Sequence, residues 1–469
     1  MSEIRNRMPF RYGKAVLTAA PLLHVRVSIA DKEGETAVGY SADCLPPLWF
    51  DKDPSKTFRQ NVEDQLTAFR QARQVYLVAG ERIRPAYEIW KDAYPKVHEE
   101  CARAGLNALT ASFGSSFLER AMIDALCRLK STTFFDALQC DLLGLATAKL
   151  VPAHAAESIH IRHTVGLSDP LTRGEIPPTE RIADGLPQAL EEDIETYGLS
   201  YFKVKVAGDP ERDLERLSRL AALIHQRCLG GYKITLDGNE QFRDIATLER
   251  LLEALRSRPY GKEFLDAILY VEQPLPREMA LDPSAASTIA SISSWKPVII
   301  DESDDRLDSF ARATGLGYLG VSHKNCKGIF KSLSHRAWIL EQNKARRKEK
   351  APLFFQTGED LATVPVVPLQ QDLASLAGLG IDHAEKNGHH YFRGLDHLPP
   401  AEAAAALAAH PDLYDKRGDF IHLKIQDGVV SLRSVLAGGY GYSSAISFDD
   451  RVPLADWTFD RLDAAPARG

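Results

Sequence analysis

Eight short apolar runs recur through the second part of this chain: IHIRHTVG, YFKVKVAG, YKITLDGN, AILYVEQP, KPVIIDES, LGYLGVSHK, PLFFQTGE and LGIDHAEK. Each has the length and β-branched content of a buried strand. Polar, helix-patterned stretches such as PERDLERLSRLAALIHQ and IATLERLLEALRS separate most of them. A strand that returns parallel to its predecessor needs a crossover of this size. Eight such steps predict a closed α/β barrel. The rival is an open doubly wound sheet, but KVAGDP is a poor match to a glycine-rich phosphate loop and no GxxxxGK[ST] occurs.

Three of these runs end in an acid: Asp237, Glu272 and Asp301, at intervals of 35 and 29 residues. Taken singly, DGN reads as a turn, VEQP as a strand exit and DES as a helix cap. Taken together, three carboxyl-end acids face one barrel mouth. Crowded carboxylates repel unless a cation neutralises them, so a hard divalent ion is the expected occupant.

Lys203 and Lys205 sit two apart on YFKVKV, so both face the barrel interior. Lys324 closes the run LGYLGVSHK and approaches from the opposite side. KxK alone could mark an exposed strand edge, but four separate strands agree on one site. The chemistry this permits is removal of a proton alpha to a substrate carboxylate bound to Mg²⁺, with the metal stabilising the enediolate. Lys205 is the expected base on one face, and Lys324 the acid or base on the other. Lys203 is expected to hold the carboxylate and to lower the pKa of Lys205 by like-charge repulsion.

Before the barrel, GKAVLTAAPLLHVRVSIADKEGETAVGYSAD reads as sheet with a turn at KEG. Residues from about Phe58 to Val78 and from about Phe113 to Cys140 read as helices. In the second, Leu118, Ala121, Met122, Ala125 and Leu129 form one apolar face. The expected organisation is an α+β domain over 1–150, the barrel over 151–400 and a tail over 401–469. The tail carries a hairpin signal, FIHLKIQDGVVSLRSV, and is expected to return to the N-terminal domain.

The 469 residues carry 57 basic and 64 acidic side chains, a formal net charge of -7 that offers no nucleic-acid surface. The basic run KARRKEK, Lys344 to Lys350, is expected to be a solvated helix end or loop. Six cysteines without a CxxC pair suggest neither a disulfide scaffold nor a zinc cluster. MSEIRNRMPFRYG has no apolar signal core and no apolar run reaches about 18 residues, so a soluble cytoplasmic protein without membrane partners is expected.

At these residues the chain resembles the mandelate racemase/muconate lactonizing enzyme branch of the enolase superfamily. KVKV resembles its KxK strand, DGN, VEQP and DES its three metal-bearing strand ends, and VSHKNCKG the segment with the opposed lysine. FLERAMIDALCRL and LKIQDGVVSLRSVLAGGYGYS resemble its cap-to-barrel helix and its C-terminal return to the cap. The resemblance implies a modified TIM barrel with an α+β capping domain completed by the C-terminal segment. It implies Mg²⁺, with Mn²⁺ as substitute, on Asp237, Glu272 and Asp301, with Asn239 and Glu302 in support. It also implies that cap loops near Thr18–Leu23 and Cys44–Lys52 close over the mouth. Leu45, Leu48, Trp49 and Phe50 would give an apolar lid, and a small closed homo-oligomer is a family-based expectation.

The resemblance has departures. No histidine–aspartate dyad of the mandelate racemase kind is evident, because the sixth strand carries Lys324. IDH does not supply the paired acids of a dipeptide epimerase. Glu359 and His383 join Trp49 and Phe50 as candidates for the substrate pocket. His383, Glu385, Asn387, His389 and His390 are candidates to line the pocket, but the spacing HxxxxxHH is not that of a metal site, and turn or surface positions are the leading expectation for them. The reading is racemisation, epimerisation or cycloisomerisation of a small carboxylate. The alternatives are dehydration of a sugar acid or other hydroxy acid, and a non-catalytic small-acid-binding barrel.

Overall fold

The computed structural model describes residues 1–12, 15–444 and 446–464. The chain begins with a three-stranded antiparallel sheet, β1 (Ser2–Tyr12), β2 (Ala15–Ala30) and β3 (Thr36–Cys44). The β2–β3 turn falls on Lys32–Gly34, where Asp31 Oδ1 accepts from the amides of Glu33 and Glu35 and Gly34 takes a positive φ of 86°.

Three helices cover this sheet: α1 (Phe58–Ala79), α2 (Ala86–Arg103) and α3 (Ala108–Leu129). Thr57 and Gln60 form a capping box that starts α1. Asn107 caps α3, which starts at Ala108, five residues before the expected Phe113, and the helix stops before Ser131, which has φ 50°. Almost every residue of α3 is buried, because it lies between β3, α1, α2 and the barrel. Two glycines permit that crowding. A Cβ on Gly39 of β3 would stand 2.0 Å from the Ala125 nitrogen, and one on Gly114 would stand 2.4 Å from the Ala68 carbonyl carbon. α2 was not legible in the periodicity, and it carries Pro95 in its interior.

The barrel follows. Its strands are β4 (Ser158–Val165), β5 (Tyr201–Lys205), β6 (Lys233–Asp237), β7 (Ile268–Glu272), β8 (Val298–Ile300), β9 (Gly320–His323), β10 (Phe355–Gly358) and β11 (His383–Lys386). All eight run parallel in chain order, and β11 pairs with β4 to close the ring. Helices cover the outside. In the helix Pro210–Arg227, capped by Asp209, Leu217, Leu220, Ala221 and Ile224 fall on one buried face. A buried Leu or Ile of this kind contributes about 1.5–3 kcal/mol. The basic run Lys344–Lys350 is the exposed end of the helix Ile329–Glu349, apart from partly covered Arg346.

The tail departs from a simple hairpin. Asp427 and Gly428 do make the expected tight turn, with φ 50° and 70°. The run before it, β13 (Phe420–Leu423), pairs with β12 (Tyr414–Arg417), and the run after it, β14 (Val429–Ser431), pairs antiparallel with β4. Beyond β14 the chain returns to the N-terminal domain. Tyr440 N and Tyr442 Oη donate to Asp124 of α3, and Trp457 Nε1 donates to Glu3. Among the described residues, no helix is long and apolar enough to cross a membrane.

Candidate active site

Parallel pairing places one row of charged side chains across the carboxyl ends of three strands. Lys205 pairs with Asp237, and Asp237 with Glu272. Asp301 follows Ile300, the last residue of β8. Phe202 and Val204 alternate with the lysines and face outward, fully buried against the helices. Lys205 and Lys324 belong to β5 and the end of β9. Those strands are separated by β6, β7 and β8, so the two lysines stand on opposite sides of the eight-stranded ring. The three acids occupy the arc between them.

Each lysine is already engaged. Lys205 Nζ lies 2.5 Å from Asp237 Oδ2, and Lys324 Nζ lies 2.6 Å from Asp301 Oδ2. Asp301 also accepts from Ser322 Oγ at 2.5 Å and faces Lys327 at 3.5 Å. Burial would raise the Asp301 carboxyl, but Lys324, Lys327 and Lys203 hold it far below the usual carboxylate range. Burial would lower the Lys324 ammonium, and Asp301 more than offsets this, so it is held well above the ordinary lysine value.

Lys203 lies one layer below the row and contacts four carboxylates: Asp237 at 3.0 Å, Glu272 and Glu359 at 2.8 Å, and Glu385 at 2.9 Å. Burial acts to lower it, but these acids keep it firmly an ammonium. With three protons and four carboxylates around it, Lys203 forms the floor of the mouth and has no proton left for a substrate carboxylate. Glu359, expected at the pocket, lies on that floor too. Its oxygens are taken by Arg162 at 2.5 Å, Tyr270 Oη at 2.7 Å and Lys203.

The strand exits are conformationally strained. Asn239, Glu240 and Gln273 have φ of 41°, 68° and 34°, values that non-glycine residues rarely adopt and that cluster at functional sites. Gln273 binds the next exit loop: its Oε1 accepts from the amides of Asp301 and Ser303, and its Nε2 donates to Ser303 Oγ. Asn239 N donates to Asp237 Oδ1, and Asn239 Nδ2 donates to Glu302 Oε1. Two buried acceptors of this group, Asn239 Oδ1 and Glu302 Oε2, have no hydrogen-bond donor, and Glu272 Oε2 faces the Lys203 ammonium at 2.8 Å. Burial above all, with Asp237 and Glu359 beside it, pushes the Glu272 carboxyl far above its usual range. Converging carboxylate and amide oxygens of this kind fit a hard divalent cation.

The cap loop closes the mouth from above. Arg277, which pairs with Glu240, donates to the carbonyls of Trp49 and Phe50 at 3.0 Å each, and Lys52 reaches Glu240 and Glu302. Trp49 places its ring over Lys324, whereas Phe50 stacks on Phe113 of α3 with centroids 4.2 Å apart. Phe50 therefore serves cap packing.

His383 lies elsewhere. It is the first residue of β11, at the amino end of the barrel, and its ring bonds Arg162 at 2.7 Å. The residue of β11 that does reach the mouth is Glu385, bonded to Lys203, Thr164 and the Asp360 amide. Arg162, Tyr270, Gln273 and Arg277 were also missed as site residues. The one available signal was Arg162, a lone cation inside the apolar run IHIRHTV.

A second group able to hold a divalent ion is formed by buried His163, Asp193 and His390, whose ligand atoms lie within 4.8 Å of one another. His389 and His390 are thus interior, contrary to the surface expectation. Their partners come from distant segments, so spacing along the chain carried no information.

No protein-family model matches the chain, and no curated protein matches it significantly. Solved structures do. The N-succinyl Arg/Lys racemase from Bacillus cereus is 17% identical over 93% of this chain and 94% of its own, with a TM-score of 0.53. A mandelate racemase/muconate lactonizing enzyme from Bordetella bronchiseptica is 15% identical over 95% and 98%, with a TM-score of 0.55. The L-talarate/galactarate dehydratase from Salmonella typhimurium is 12% identical over 95% and 88%, with a TM-score of 0.53.

The chain has the enolase-superfamily fold. At these identities the likeness is one of architecture. In this enolase-type barrel the charged row, the opposed lysines and the roofing loop are properties of this chain's own residues.

Proposed function

We propose that the protein is a Mg²⁺-dependent enzyme that removes the proton alpha to the carboxylate of a small acid, giving racemisation, epimerisation or cycloisomerisation. The observation that carries this reading is the diametric placement of Lys205 and Lys324 around Asp237, Glu272 and Asp301. The two lysines stand at the mouth on opposite sides of the ring. One can take a proton from an sp³ carbon while the other delivers one to the far side.

Asp237, Glu272 and Asp301 would hold the cation, and Asn239 and Glu302 would complete its surroundings. When bound, Mg²⁺ supplies Lewis-acid stabilisation of the charge that develops on the substrate carboxylate. Lys203 fixes the floor by binding Asp237, Glu272, Glu359 and Glu385. Trp49 and the loop fastened by Arg277 exclude water above Lys324.

The similar structures include a racemase and a dehydratase, and both activities are compatible with one lysine acting at an alpha carbon. The symmetric lysine pair favours proton return over loss of a leaving group. Deuterium exchange in Lys205→Ala and Lys324→Ala tests this. Each variant should lose exchange at one face of the alpha carbon while retaining stoichiometric Mg²⁺. Undiminished exchange in both would remove the assignment.

A further inference from the structure

We propose that His163, Asp193 and His390 form a second metal site, outside the barrel mouth, that takes a zinc-like transition-metal ion and pins the seam where the barrel closes. This does not depend on the chemistry assigned to the mouth.

The position of the group follows from β4. Arg162 and Thr164 point into the barrel, where they bond Glu359 and Glu385. His163 lies between them in sequence and therefore points outward, under the helical layer. Asp193 comes from the helix Leu190–Tyr197, which precedes β5, and His390 from the short helix Gly388–Tyr391 just after β11. The group thus joins the first barrel strand, the crossover that follows it and the exit of the last strand.

The geometry suits coordination. Asp193 Oδ2 lies 3.0 Å from His390 Nδ1 and 3.7 Å from His163 Nε2. Tetrahedral zinc with bonds of about 2.0–2.2 Å sets ligand atoms about 3.4 Å apart. All three ligand atoms lie within 4.8 Å of one another, near the spacing such an ion requires. His390 Nδ1 also meets Asp193 Oδ1 at 3.2 Å, so an ion would take the place of the proton between them, and all three residues are buried.

The surrounding contacts also suit a ligand set. His163 Nδ1 is bonded to His389 Nε2 at 2.9 Å, which leaves His163 Nε2 turned toward Asp193. A second ring nitrogen held in this way fixes the orientation of a metal-bound imidazole. The backbone carbonyl of His390 accepts from Arg7 Nη1 of β1 at 2.8 Å, so the cap sheet steadies the same turn.

Donor chemistry separates the two sites. Two imidazole nitrogens and one carboxylate select zinc or a neighbouring first-row metal, whereas the all-oxygen set at the mouth suits Mg²⁺. A bridge between the β4 and β11 sides would act on unfolding, because it must break when the barrel opens.

The test uses the full chain after chelator treatment and dialysis. Zn²⁺ is added in the presence of excess Mg²⁺, unbound metal is removed, and zinc is counted by mass spectrometry. Co²⁺ serves as a spectroscopic probe of nitrogen ligation. The expected result is one tightly held zinc per chain and a nitrogen-ligated Co²⁺ spectrum. His163→Gln should lose the zinc, Glu272→Gln should keep it, and His389→Ala should weaken it about 10–100-fold. Two results would overturn the site: folded wild type that retains no zinc, or zinc lost in Glu272→Gln and kept in His163→Gln. Should His163→Gln fail to fold, the wild-type zinc count and Co²⁺ spectrum decide alone.

Discussion

Lys324 Nζ lies 4.4 Å from the centroid of the Trp49 ring and 2.6 Å from Asp301 Oδ2. One ammonium is therefore gripped by a cap residue from above and a barrel carboxylate from the side. This contact joins the cap loop to one of the two opposed lysines.

Trp49→Leu keeps an apolar filler and removes the ring face. A buried cation–π contact is worth about 2 kcal/mol. Exchange at the Lys324 face should fall about 10–30-fold, while exchange at the Lys205 face changes little. Equal losses at both faces would show that Trp49 acts only by shaping the pocket.

Removing the divalent cation should destabilise the folded state, since the carboxylates of Asp237, Glu272 and Asp301 end adjacent strands at one mouth and would hold it. At Mg²⁺ near 100 times its Kd, the stabilisation is about 2.7 kcal/mol. Thermal unfolding with and without chelator should show this in wild type and not in Glu272→Gln, which lacks one of the three carboxylates. A Mg²⁺-insensitive wild type would contradict the oxygen-ligand site.

His98 gives a pH dependence away from the mouth. Burial, aided by Lys331 and Arg306, lowers it from 6.5 to about 3, and its Nε2 meets Ser112 Oγ at 3.2 Å. The unfolded chain therefore binds more protons between those two values. The stabilisation from neutral, buried His98 is complete above about 6.5 and is lost as pH falls toward 3, at about 1.4 kcal/mol per pH unit. Denaturant unfolding of wild type and His98→Gln should show a constant difference above about pH 7. Below about pH 6.5 that difference should move steadily against wild type. Parallel profiles would mean that His98 titrates normally in the fold.

Gly39→Ala and Gly230→Ala should diverge. A Cβ at Gly39 meets Ala125 N at 2.0 Å, whereas one at Gly230 meets nothing within 4 Å. The first should cost about 1–3 kcal/mol by forcing β3 off α3. The second should be neutral or stabilising by up to about 1 kcal/mol. Equilibrium unfolding distinguishes them, and a neutral Gly39→Ala would show that the sheet can shift.

The barrel was legible because each strand is a short apolar run and its helices carry a clean 3.6-residue period. The charged row was legible because strand ends converge in a closed barrel, so linear position reports spatial position. Neither rule reaches contacts across the ring. Lys203 reads as a substrate ligand from its spacing to Lys205, yet Glu359 and Glu385, from β10 and β11, surround it. His383 starts its strand and Glu385 lies two residues on, a difference set by where β11 begins. The His163, Asp193 and His390 group joins segments separated by up to 227 residues, beyond any local pattern. The Asp-Gly turn was correct, but the partners of its two arms depend on tertiary packing against β12 and β4.

The central claim is that the mouth abstracts a proton alpha to a carboxylate with the help of a divalent cation. The most direct measurement is alpha-proton exchange in D₂O across a mixed set of carboxylic acids, acylated amino acids and sugar acids. Deuterium uptake and stereochemistry would be followed by NMR and mass spectrometry. The account predicts uptake in at least one class, abolished by chelator and restored by Mg²⁺. Exchange that persists in chelator, or in the Lys205→Ala/Lys324→Ala double variant, would contradict it.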